Sequence, residues 1–105
     1  MATGRLAAVD VAGTTNTTVY TCPASTYSVV AINICNRGAT SAAIRIAIAS
    51  ADTPTAAEYI EYDVDVFSKN VLERTGLVLA ASQRLVVYSS AASISAVVVG
   101  IETAA

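Results

Sequence analysis

The residues able to do chemistry are few, and their spacing limits what that chemistry is. Glu61, Asp63 and Asp65 alternate with Tyr62 and Val64. On an extended chain their carboxylates share one face at intervals of about 6.5–7 Å. That is too wide for three side chains of one strand to share a calcium ion without loop ligands. No basic residue flanks them in sequence. They read as a solvated sheet face that also discourages edge pairing, with an ion or subunit contact as the alternative. A glycosidase pair drawn from Glu58, Glu61 and Glu73 would need a cleft with aromatic sugar platforms, and the chain has no Trp and a single Phe.

Histidine is absent. That removes the commonest general base and metal ligand, and every Ser-His or Cys-His nucleophile pair. Cys22 and Cys35 have neither CxxC spacing nor a second pair, which excludes a zinc site; they read as free thiols packed as small hydrophobes, with a single disulfide as the alternative if their strands are neighbours. Ser68-Lys69 has the residue types of a Ser-Lys dyad but falls in an expected hairpin loop, where the lysine is solvated and ordinary. Asn16-Thr17-Thr18 fits the glycosylation sequon; no signal peptide is expected from the opening residues, so the match reads as accidental. Tyr20, Tyr27, Tyr59, Tyr62 and Tyr88 fall mostly in strands, as packing residues with a hydroxyl at the rim. No catalytic, cofactor-binding or metal-binding residue is assigned, and the interface residues are left unassigned.

Hydrophobic periodicity supplies the elements. Val30, Ile32 and Ile34 alternate with Ala31, Asn33 and Cys35; Ile44, Ile46 and Ile48 alternate with Arg45 and Ala47. A period of two separates such residues onto the faces of a strand and smears them around a helix. Seven or eight strands are expected, near 5–11, 17–22, 27–36, 42–49, 58–66, 71–79 (broken at Gly76), 83–89 and 93–102. Turn chemistry lies between them, including Asn36-Arg37-Gly38 and Ser68-Lys69-Asn70. Asp52-Thr53-Pro54 is expected to cap one helical turn through Ala57. Ile32, Ile46, Tyr62 and Val98 are the expected core. The fold class is all-β: an antiparallel sandwich or jelly-roll-like barrel of seven to eight strands, forming a single domain over 1–105.

The chain is 105 residues long, 54% hydrophobic and 13% charged, with a net charge of −2. It carries no basic footprint for nucleic acid and no apolar run long enough to span a membrane. Roughly 5,500 Å² of folded surface is expected. Many positions expected to face outward are Ala, Ser, Thr or Val. In Ser93–Ile101, Val97, Val99 and Ile101 occupy one face while Ile94, Ala96 and Val98 occupy the other. Such a strand is central in a two-layer core or buried by a partner, and the low charge favours a subunit that assembles with others.

Asn36-Arg37, Ile44-Arg45-Ile46-Ala47-Ile48, Glu58-Tyr59-Ile60-Glu61-Tyr62-Asp63, Leu72-Glu73-Arg74-Thr75-Gly76-Leu77-Val78-Leu79 and Val99-Gly100-Ile101-Glu102 together span about two-thirds of the chain. In strand rhythm and short strings this region resembles small β-rich virion proteins of tailed bacteriophages, particularly of cyanobacterial and marine hosts. The resemblance implies a non-enzymatic role: a capsid decoration (cement) protein bound to the major capsid protein, or a tail- or fibre-associated module. It implies no cofactor and no catalytic residue. The expected assembly is a homotrimer with a mobile N-terminal segment, formed in the host cytoplasm and carried on the virion. A cellular carbohydrate- or peptide-binding sandwich is the competing class.

Overall fold

The computed structural model describes residues 2–105. Eight strands form, β1 (Thr3–Val11), β2 (Thr17–Thr21), β3 (Thr26–Asn36), β4 (Ala42–Ala49), β5 (Tyr59–Val66), β6 (Val71–Leu79), β7 (Arg84–Ser89) and β8 (Ile94–Ala104). Each starts and stops within three residues of its expected bounds. They make two four-stranded antiparallel sheets, β1-β8-β3-β6 (sheet A) and β2-β7-β4-β5 (sheet B). The pairs β1–β8, β2–β7, β3–β6 and β4–β5 are those of one long folded hairpin rolled up on itself, the winding of a jelly roll. Four strand edges stay open, so the molecule is a sandwich and not a closed barrel. No helix among the described residues is long and apolar enough to cross a membrane.

Between the sheets lie the side chains that alternate inward: Val30, Ile32 and Ile34 from β3, Ile44 and Ile46 from β4, Leu85 and Val87 from β7, Ile94 and Val98 from β8. Three of the four expected core residues are there. Tyr62 is not; it stands 58% exposed. The reason is local: Asp63 adopts φ +54°, a left-handed conformation that Asp tolerates better than most residues, and it inserts an extra residue opposite Arg45. Side-chain alternation is reset there, so Val64 and Val66 follow the inward pattern and Tyr62 does not.

Three further expectations are corrected. Phe67–Asn70 is not a hairpin loop, because β5 and β6 belong to different sheets and the segment arches between them. The helical turn lies at Ala56–Glu58 and is capped by Thr55, one residue beyond Pro54; the Glu58 carboxylate accepts the Thr55 amide at 2.8 Å. From Ala2 onward the N-terminus is no mobile arm: Ala2 exchanges backbone and side-chain hydrogen bonds with Glu102, and β1 pairs with β8 from Thr3. The accessible surface is 5168 Å², near the size expected from mass.

Every irregularity of pairing falls on an edge strand. The central ladders β3–β8 and β4–β7 run without a register shift. Bulges interrupt β1 at Leu6, β2 at Val19 and β6 around Thr75-Gly76, where Gly76 takes φ +70°. On β5 there are two shifts.

Candidate functional site

Because Ile32, Ile34, Ala96 and Val98 are fully buried on the inner side, their alternates on β3 and β8 point away from the core. Direct cross-strand partners share a face, so the register aligns these residues into rows. One row runs Thr3, Ile101, Val29, Val78 across all four strands of sheet A; the next carries Arg5, Val99 and Ala31. Tyr27 lies beyond the first row and Val71 at the far end of β6. Of the eight large hydrophobic side chains left exposed, six (Tyr27, Val29, Val71, Val78, Val99 and Ile101) lie on this outer face. Monomeric proteins seldom leave so contiguous an apolar surface bare.

Toward the Val97 end the face dips into a shallow depression of about 300 Å³, lined by Ala8, Asp10, Arg37, Ser95 and Val97. Arg37 Nη2 donates to Asp10 Oδ1 at 2.6 Å and bounds it on one side. The loop bearing Arg37 is itself fixed. Asn36 is buried with its amide fully used, donating to the Thr40 and Val66 carbonyls and accepting from the Gly38 amide. Two charges remain on the face. Arg5 sits at the β1 edge opposite Val99, and Glu73 sits at the β6 edge opposite Asn33. Neither is in an ion pair among the described residues.

Sheet B differs because the chain covers part of it. Ala47, Ala49 and Val86 alternate with core residues and so face outward, yet they are buried. The Ser50–Glu58 connection folds back over them. It is held by Asp52, which accepts from Thr18 Oγ1 at 2.7 Å and from Arg84 Nη1 at 2.8 Å. Those two bonds keep the Asp52 carboxyl below its ordinary range, the Thr18 bond contributing most. Beside this cover, Arg45 is stacked between the rings of Tyr62 (4.3 Å) and Tyr88 (4.5 Å). It donates to Asp63 at 2.6 Å, and Tyr59 meets Tyr62 edge-on.

The acids singled out in sequence are dispersed among structural partners. Glu61 approaches Arg74 of sheet A at 3.4 Å, Asp63 binds Arg45, and Asp65 has no ion-pair partner among the described residues. The row therefore has basic neighbours, supplied from other strands rather than from sequence. No group among the described residues brings together three metal-ligating side chains. Glu58 is engaged with the Ser50 and Thr55 amides, and Glu73 lies on the outer face of the other sheet, so no carboxylate pair converges. Ser68 Oγ donates to Gly38 O and Lys69 Nζ to Arg37 O; each fastens the neighbouring loop, and they form no dyad. Both cysteines are free, Cys22 buried and Cys35 half-buried.

At the end of the sandwich near the N-terminus, Tyr20 Oη donates to Glu102 Oε2 at 2.6 Å, tying sheet B to sheet A. Burial first, and then this bond, push the Tyr20 phenol up to about 12. The same bond holds the Glu102 carboxyl below its ordinary range. Ser28 Oγ is buried nearby without a hydrogen-bond partner.

Val97, Val99 and Ile101 announced part of the outer face of sheet A through their alternation, but Val29 and Val78 joined it only through register. The Arg45–tyrosine stack carried no local signal, since it depends on the Asp63 bulge. No family model, curated protein or solved structure matches the chain.

Proposed function

We propose that this protein is a non-enzymatic structural subunit of a tailed-phage particle, a decoration (cement) protein that binds the capsid shell as an oligomer. The observation that carries the reading is the bare apolar face of sheet A, beside a sheet B that the chain itself partly covers. An oligomer on a shell supplies such a face with a permanent cover, and a surface destined for burial needs few charges to remain soluble. The absence of histidine and the engagement of Glu58, Glu61 and Asp63 in structural bonds fit a role without catalysis. The resemblance of Asn36–Glu102 to small virion proteins supports the same class.

Quantitative mass spectrometry of purified particles tests it. Hundreds of copies per particle are expected for a shell protein. Multiples of three or six up to a few dozen would instead indicate a tail or fibre module, and absence from particles would overturn the reading. The Tyr59, Tyr62, Tyr88 and Arg45 cluster favours one second reading, a carbohydrate-binding sandwich. Retention on a glycan array, lost in Tyr62→Ala, would support it.

A further inference from the structure

We propose that the outer face of sheet A packs against the same face of a second copy of this chain, the two related by a twofold axis running along the strands. The inference rests on the reading of this protein as an assembling subunit and names the occupant of its bare face. Three observations select a second copy seated face to face.

The edges are closed to strand addition. All five bulges lie on the four edge strands, where they twist the backbone away from a flat template, so extension of either sheet by another chain is disfavoured. What is left for assembly is a face; part of sheet B is already covered by residues 50–58, and the rest carries the Arg45–Asp63 ion pair instead of an apolar row.

The size fits. Four strands at about 4.8 Å and about nine residues at 3.3 Å give a face about 19 by 30 Å, on the order of 600 Å² in projection and more over its corrugated surface. A stable interface hides roughly 800 Å² on each partner.

The charges complement one another. Arg5 and Glu73 flank the apolar band from opposite edges, one row apart, and neither has an ion-pair partner among the described residues. A twofold axis along the strands lays the β1 edge of one copy over the β6 edge of the other. Arg5 then faces the partner's Glu73 twice over, across two sheets about 10 Å apart. An axis across the strands would instead set Arg5 against Arg5. An isologous contact of this kind closes as a dimer.

Sedimentation equilibrium at low ionic strength tests the arrangement with the wild type, Arg5→Glu, Glu73→Arg and the double variant. Circular dichroism checks that each remains folded, as expected for exposed positions. The wild type should sediment at about twice 10.7 kDa. Each single reversal should weaken dimerisation about tenfold, since two opposed pairs become like-charged. The double variant should recover to within a few-fold. A wild-type monomer or trimer, single reversals without effect, or a double variant no better than the singles would each overturn the twofold pairing. If the chain were monomeric in solution yet abundant in particles, the virion reading would stand and the face would belong to the shell.

Discussion

Replacing Ile46 with alanine, next to the same replacement of Arg45, reads both faces of β4 in one experiment. Ile46 is fully buried between Ile44 and Val87, in the middle of a ladder without irregularities. The change deletes three carbon atoms, or about 2.4 kcal/mol at about 0.8 kcal/mol for each buried methylene. The surroundings relax only partly around the cavity, which brings the expected loss to about 2–5 kcal/mol. For a domain of this size that lowers the melting midpoint by about 10 °C or more. Arg45, one residue away, faces outward with Tyr62, Tyr88 and Asp63 about it. Arg45→Ala loses two ring contacts and an ion pair open to solvent, so its midpoint should shift by less than half as much, but not by zero. Urea and thermal denaturation of both variants supply the comparison. Equal losses would refute the assignment of faces on β4, and with it the register from which the outer face of sheet B is built.

Three further outcomes are expected. Gly100→Ala should fail to fold or be severely destabilised in expression and melting tests, because a Cβ there would collide with the Val29 carbonyl oxygen and lie 2.8 Å from Val30 Cα; a near-neutral Gly100→Ala would show the β3–β8 approach to be looser than described. The depressed Glu102, Asp52 and Glu58 carboxyls contribute stability that is present above their unfolded values near 4 and lost as pH falls through the folded ones, so acid melts of Glu102→Gln should show a weaker pH dependence than wild type. The raised Tyr20 phenol acts at the other end: its contribution is whole below pH 10 and lost as pH rises from there to about 12, and a phenolate absorbance titration should lose an inflection near 12 in Tyr20→Phe.

How much of this was legible beforehand follows from where the physics is local. β3, β4 and β8 announce themselves through strict alternation, and their bounds and buried faces match because nothing interrupts their central ladders. β5 was legible as a strand but not in its facing. Its alternation Ile60, Tyr62, Val64, Val66 looks regular, and only the positive φ at Asp63 shows that the period slips. Phe67–Asn70 has the composition of a hairpin; whether such a turn joins neighbours or crosses between sheets depends on the pairing of distant strands. The same non-local register unites Val29, Val78 and Ile101, which lie far apart in sequence, on one surface.

The central claim is that this surface is apolar contact area that the protein covers by assembling. Sedimentation equilibrium of the wild type beside Val29→Lys, at micromolar protein in 1 M NaCl, tests it most directly, because salt at that level screens charge-steered association and leaves apolar contact intact. The account predicts a wild type at about twice 10.7 kDa and a folded, monomeric Val29→Lys, with the new charge on a central strand among Ile101, Val78 and Tyr27. A wild type that sediments as a 10.7 kDa monomer, or a Val29→Lys variant that associates as the wild type does, would contradict it.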